Sequence, residues 1–167
     1  MSASAVPHTA LPDDVRATLA RWRAANERVV FTNGVFDLLH RGHAEYLEEA
    51  KALGDRLVVG INSDASVRVL KGPGRPIVGE DDRRALVASL RCVDLAILFG
   101  EETPARLIDE VQPGVLVKGG DWPVDRIVGR ESVEARGGRV LSIPLREGLS
   151  STNLVERIRA GKSALDH

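Results

Sequence analysis

Arg28-Val29-Val30-Phe31-Thr32-Asn33-Gly34-Val35-Phe36-Asp37-Leu38-Leu39-His40-Arg41-Gly42-His43 is the stretch that decides the fold. Its opening, Arg28 to Thr32, is short, apolar and β-branched, the signature of a strand buried on both faces. From Gly42 to Leu53 the spacing turns helical, with Ala44, Leu47, Ala50 and Leu53 on one stripe and Gly54 ending it. A buried strand passing through a glycine-bearing loop into a helix is the first unit of a parallel α/β sheet.

The same alternation continues along the chain. Upstream, residues 1–11 read as a flexible tail, and Pro12-Asp13-Asp14 opens a helix with Val15, Leu19 and Trp22 on one face. Downstream, strands are expected at Arg56 to Ile61, Val93 to Phe99, Gly114 to Val117 and Arg139 to Ile143. Between them, helices are expected from the Ser63-Asp64 cap through Leu70, over Glu80 to Arg91 with Ala85, Leu86 and Leu90 inward, and after Thr103-Pro104. Two more are expected over Val128 to Arg136 and from the Ser150-Ser151-Thr152 cap through Ala160. The pattern predicts an α/β fold over residues 12–167: a doubly wound, five-stranded, mainly parallel sheet with helices on both faces.

Composition sets the class. With 43% hydrophobic and 28% charged residues the chain is ordinary for a globular protein, and a net charge of −1 gives no basic face for nucleic acid. Arginine outnumbers lysine 19 to 4, and two of the four lysines, Lys71 and Lys118, stand directly before glycines. The single cysteine, Cys92, has no disulfide partner within the chain, and its apolar neighbours predict a buried thiol. No apolar run approaches the roughly 20 residues needed to span a bilayer, and Met1 to Leu11 lacks signal-peptide character; a cytoplasmic protein is expected.

The unusual residues gather at strand ends, where ligands bind in open α/β sheets. In the first loop Gly34 allows close backbone approach, and Gly42 and His43 fall at a helix start, where free N–H groups favour an anion. His40 and His43, three residues apart, face one side and suit phosphate oxygens. Asp37, His40 and His43 also fit a metal site of two histidines and a carboxylate, and a capped helix bearing surface histidines gives the same residues. The neighbouring glycines favour phosphate. Lys71-Gly-Pro-Gly-Arg75-Pro76 resembles a flap over a triphosphate but lacks the Walker A spacing. Lys118-Gly119-Gly120-Asp121 ends another strand, with Asp121 able to accept from a base or ribose; Trp122 stacks on a ligand ring or covers the core, and the core is the favoured reading. Ser150, Ser151 and Thr152 form a second helix N-terminus that binds an anion or simply caps itself.

Taken in order, these segments resemble the cytidylyltransferase-like family of nucleotidyltransferases, marked by G-x-F-D-x-L-H-x-G-H and a later I-S-T/S-T. Here they stand as Gly34-Val-Phe-Asp-Leu-Leu-His-Arg-Gly-His43 and Leu149-Ser-Ser-Thr152. Asn62-Ser-Asp64, Arg68-Val-Leu-Lys-Gly72, Arg75-Pro76, Glu101-Glu-Thr-Pro104 and Val117-Lys-Gly-Gly-Asp121 further resemble the domain that adenylylates D-glycero-β-D-manno-heptose 1-phosphate. The resemblance implies a Rossmann-like homodimer that uses Mg²⁺-NTP, ATP in the heptose enzyme, with a sugar 1-phosphate, and releases pyrophosphate. It places His40, His43 and Lys71 in catalysis. Thr32, Asn33, Gly34, Val35, Phe36, Gly42, Lys118, Gly119, Asp121, Ser150, Ser151 and Thr152 fall on the nucleotide. Asp37, Asn62, Asp64, Arg75 and Arg83 fall on the substrate, Arg83 by way of an E-x-R stretch in which Asp81 takes the glutamate's place. Relatives carry R-T-E-G-I-S-T before the last helix; here Leu145 stands at the arginine and Arg146 at the threonine.

In many bacteria this domain is fused behind a sugar kinase; with no kinase segment in the chain, a standalone version is expected. No Ser-His-Asp arrangement is present, and a phosphate nucleophile needs no strong base, so direct in-line attack is expected, with Asp37 orienting the loop or meeting Mg²⁺. The alternatives are a cytidylyltransferase for glycerol 3-phosphate or another small phosphate, a metal-dependent phosphoester hydrolase, and a nucleotide sensor without turnover.

Overall fold

The computed structural model describes residues 10–120, 122–145 and 148–162. Five strands, β1 (Val29–Gly34), β2 (Arg56–Asn62), β3 (Leu95–Phe99), β4 (Val115–Gly119) and β5 (Arg139–Ile143), form one sheet in the order β3-β2-β1-β4-β5. Every neighbouring pair is parallel. Strand order reverses between β1 and β4, so the crevice beyond their carboxyl ends is the natural binding place.

Among the described residues seven helices flank or connect the strands: α1 (Asp13–Ala24), α2 (Arg41–Lys51), α3 (Asp64–Lys71), α4 (Glu80–Ala88), α5 (Ala105–Val111), α6 (Arg130–Ala135) and α7 (Ser151–Arg159), with a 3₁₀ turn at Val124–Arg126. Charge supports the first: Asp13 and Asp14 sit in the first turn of α1 and Arg21 and Arg23 in its last, matching the helix dipole. Hydroxyl caps start α3 and α7, where Ser63 accepts from the Ser66 N–H at 3.2 Å and Ser150 from the Asn153 N–H at 3.0 Å.

Alternate strand residues serve two cores. Val29, Phe31, Val58 and Leu116 join Leu19 and Trp22 of α1 and Leu107 and Ile108 of α5. Val30, Leu57, Val59, Ile61, Val115 and Val117 meet Tyr46, Leu47 and Ala50 of α2 and Val87 of α4. Apolar contact on both faces is what a parallel sheet requires. Leu11, placed in the tail by sequence, is buried in the first core, so the folded part begins no later than Leu11.

The largest correction concerns α4. Ala85 and Leu86 were expected inward; Ala85 is exposed and Leu86 is 48% exposed, while Arg83 and Val87 face in. Periodicity tracks apolar residues and overlooks an arginine whose polar atoms are all matched inside. The helix also ends at Ala88, because Leu90 and Val93 turn back through bonds to the Val87 and Leu90 carbonyls. Cys92 is half-buried beside the second core, and burial pushes its thiol pKa up.

Candidate active site

The loop from β1 to α2 is built around a bend at Phe36, whose φ of 50° lies in the left-handed region. The bend folds the Phe36 ring back over Gly34, where a Cβ would stand 3.0 Å from it, and sets it 5.3 Å from the His43 ring. His40 is the extended N-cap residue of α2, and its ring stacks on His43 with centroids 3.9 Å apart. Gly42 makes this possible: a Cβ there would lie 3.1 Å from the His40 ring and 3.3 Å from Leu149 Cβ. The histidine pair thus stands at the positive end of α2.

Neither Nδ1 of the pair has a hydrogen-bond partner, although both atoms are buried. Burial first, then repulsion from His40 and Lys71, pushes the His43 pKa down to about 4, and burial lowers His40 as well. At neutral pH His43 is therefore a neutral imidazole, a hydrogen-bond donor to an anion rather than a fixed charge.

Asp37 lies under this surface. Its side chain is fully buried and accepts from Arg75 Nε at 2.5 Å, Ile77 N–H at 2.8 Å and Val78 N–H at 2.9 Å. Burial raises its pKa, but the Val78 N–H, the Arg75 guanidinium and the Ile77 N–H outweigh that and hold it below the usual carboxylate range. Asp37 orients the loop, as expected. As a substrate contact it is corrected, because the side chain is fully buried beneath the loop and held there by these three protein donors. With that carboxylate engaged, Asp37, His40 and His43 do not assemble as a ligand set, and among the described residues no other trio of such side chains is placed around a common point.

Arg83 is the second correction. Expected on the substrate, it is fully buried and donates to the Val78 carbonyl at 2.9 Å, the Val35 carbonyl at 2.6 Å, the Asn62 carbonyl at 2.8 Å and Asp64 Oδ1 at 2.8 Å. Asn62 Nδ2 in turn donates to Ser66 Oγ at 3.0 Å, and the Asp64 N–H to Glu80 at 2.6 Å. Asn62, Asp64 and Arg83 therefore form a scaffold joining three loops beneath the site. Of the three, Arg83 is the one whose expected substrate contact is overturned, since it is fully buried with every nitrogen matched to protein.

Above that scaffold, Lys71 ends α3 and begins the flap, and Gly72, at φ 90°, turns the chain out of the helix. Arg75 closes the flap through Asp37. Across from it α7 begins close to α2: Ser151 Oγ donates to the Leu38 carbonyl at 3.3 Å, and Leu149 abuts Gly42. Flap and α7 border a cleft of about 480 Å³, which Thr152 lines. Ser150 and Ser151 are tied to their own cap and to the β1–α2 loop, and the Thr152 side chain is exposed.

A second, smaller cavity of about 140 Å³ opens where β1 and β4 end, bordered by Asn33, Lys118, Trp122 and Arg126. Burial lowers the Lys118 pKa, and its Nζ lies 5.9 Å from the Trp122 ring centre. Trp122 is 51% exposed and lines this cavity; covering the core is corrected. Thr32 is corrected too: it is fully buried, and its hydroxyl shares a 2.6 Å hydrogen bond with Tyr46. At Gly119 a Cβ would approach the Tyr46 ring to 3.2 Å, so that glycine permits packing at the end of β4. Asp121 and Arg146 lie outside the described residues.

Comparison with known proteins agrees with this geometry. The sequence profile of the family described as Cytidylyltransferase-like matches residues 31–157. The chain is 52% identical over 149 residues to the bifunctional protein HldE of Geotalea uraniireducens, covering 89% of this chain and 30% of that protein. It is 56% identical over 137 residues to HldE of Ectopseudomonas mendocina, covering 82% and 29%. It therefore spans about 30% of the length of these curated relatives. The crystal structure of the lipopolysaccharide core biosynthesis protein from Thermoplasma volcanium GSS1 superposes with a TM-score of 0.60 at 36% identity, covering 72% of this chain and 97% of that one. No helix among the described residues is long and apolar enough to cross a membrane. A stacked histidine pair at a helix start, a lysine flap and a serine-capped helix meet on a sheet that this family shares, and the chain belongs to the cytidylyltransferase-like family and is a nucleotidyltransferase.

Proposed function

We propose that the chain transfers AMP from Mg²⁺-ATP to D-glycero-β-D-manno-heptose 1-phosphate, giving ADP-heptose and pyrophosphate. The convergence of two helix starts on one histidine pair supports this most directly: Leu149, beside the α7 cap, abuts Gly42 of α2, and Ser151 reaches the Leu38 carbonyl. Two sets of free helix N–H groups then address one polyphosphate. Mg²⁺ comes in with the triphosphate, as part of the substrate.

An oxygen of the sugar phosphate attacks the α-phosphorus in line. The new P–O bond forms as the α–β bridging P–O bond breaks, and pyrophosphate leaves with the electron pair. The attacking oxygen is already ionised near neutral pH, so the protein's task is placement and charge stabilisation. His40 and His43 donate to the phosphates, Lys71 brings positive charge over them, and Asp37 and Arg83 hold the surrounding loops from below.

The heptose acceptor rests on the resemblance of the loop segments, and the similarity to the bifunctional HldE proteins runs along the same part of the chain. A role in glycan precursor synthesis agrees with how the Thermoplasma protein is described. The resemblance also supports a homodimer working in the cytoplasm. Pyrophosphate release measured for ATP, CTP, GTP and UTP against heptose 1-phosphate, other sugar 1-phosphates and glycerol 3-phosphate tests the assignment. The highest kcat/KM is expected for ATP with heptose 1-phosphate; no release from heptose 1-phosphate with any of the four nucleotides overturns it.

A further inference from the structure

The cleft between flap and α7 holds a cation with no role in the chemistry so far described. Thr152, Val155, Glu156 and Arg159 all line it. Their spacing puts them on one face of α7, so the helix presents a continuous wall to the flap. From the last turn of that wall Arg159 reaches across: its Nη2 lies 4.0 Å from the point where a Cβ on Gly74 would stand. Lys71 and Arg75 line the opposite wall.

Arg75 is only partly satisfied. Nε is bound to Asp37 at 2.5 Å, whereas Nη2 is buried and has no hydrogen-bond partner. Arg75 lines the cleft, and a buried guanidinium nitrogen without an acceptor is costly, so the arrangement suits an acceptor bound there. Three cations line this space against one carboxylate, Glu156, with Asp37 offsetting Arg75 from behind. An excess of positive charge remains, enough to favour a phosphate group.

We propose that Arg159, together with Arg75 and Lys71, forms a phosphate-binding site in this cleft that clamps the flap to α7 when occupied. The ligand is a phosphate group of a substrate, either the terminal phosphates of the nucleotide or the phosphate of the acceptor. Glu156 limits the affinity, so that the product leaves. The site deepens the nucleotidyl-transfer reading above and rests on it for the identity of its phosphates.

Calorimetric titration of the intact protein with inorganic pyrophosphate, and separately with heptose 1-phosphate, tests the clamp without any turnover. Arg159→Ala is expected to weaken one of the two by about tenfold or more, and which one identifies the source. Arg159→Lys should restore most of that loss, and Glu156→Gln should tighten the same probe several-fold. Arg159 and Glu156 are exposed, so far-ultraviolet circular dichroism and the Tm should match the wild type and confirm folding. Unchanged affinity for both probes in Arg159→Ala, or weaker binding in Glu156→Gln, overturns the proposal. An absence of pyrophosphate release from every nucleotide and acceptor would instead overturn the proposed reaction, leaving these titrations readable on their own.

Discussion

Arg83 donates to the Val35 carbonyl at 2.6 Å from a fully buried position, and the same guanidinium holds the Val78 and Asn62 carbonyls and Asp64. One side chain therefore ties the loop after β1 to the end of the flap and to the start of α3. Arg83→Met leaves three carbonyls and one carboxylate without their donor. The expected loss of stability is about 3–5 kcal/mol, as for removal of one partner of a buried charge network. Arg83→Lys should recover less than half, because an ammonium does not reproduce the planar fork. Urea melts of both variants measure this, and a loss under 1 kcal/mol for Arg83→Met would show that the network is dispensable.

His43→Ala should lower kcat by roughly two to three orders of magnitude, as removal of a donor aimed at developing charge does, while the Tm stays close to wild type. Turnover like that of the wild type would remove His43 from the phosphate wall.

His43 also predicts a pH dependence of stability. Its folded-state pKa of about 4 lies below the ordinary value of 6.5, so the unfolded chain takes up the proton first as pH falls. The stability due to neutral His43 is complete above pH 6.5 and is lost progressively towards pH 4, at about 1.4 kcal/mol per pH unit at the steepest. Urea melts at pH 7 and pH 4.5 should differ less in His43→Ala than in the wild type. Equal differences in the two proteins would contradict a buried neutral imidazole.

Gly42→Ala separates catalysis from folding. Alanine is intrinsically the better helix residue by about 1 kcal/mol, which partly offsets a Cβ pressing on the His40 ring and Leu149. Stability is expected to change by about 1 kcal/mol or less, whereas displacing His40 and the start of α7 should cut kcat/KM by roughly tenfold or more. A variant with unaltered kinetics would mean that the contact between α2 and α7 does not set the site's geometry.

Thr32→Val tests the reassignment of that residue. The buried Tyr46 hydroxyl loses its partner, at a cost of about 1–3 kcal/mol, and the KM for ATP should stay within about twofold of wild type. A tenfold rise in that KM with stability unchanged would return Thr32 to the nucleotide contacts.

Much of the fold was legible because parallel strands and amphipathic helices are local patterns. The apolar run at Arg28 to Thr32, the stripe through Leu47 and Ala50, and the hydroxyl caps Ser63 and Ser150 all depend on neighbours close in sequence, and all appear where expected. The histidine pair was legible too, since three-residue spacing at a helix start fixes which way both rings face.

Partners distant in sequence were a different matter. Asp37 reaches Arg75, Ile77 and Val78 some forty positions away, and Arg83 reaches Val35 from forty-eight, so charge and spacing marked these residues as functional without revealing that they bind each other. Arg159 gave no local sign at all, because its significance lies in the flap it faces across the cleft. The sequence by itself determined the strands, the helices and the loop that joins β1 to α2, since backbone propensity and apolar periodicity act over a few residues. The tertiary structure alone decided which polar side chains are held by protein partners, because a buried polar group is satisfied by whatever the fold brings within about 3 Å of it.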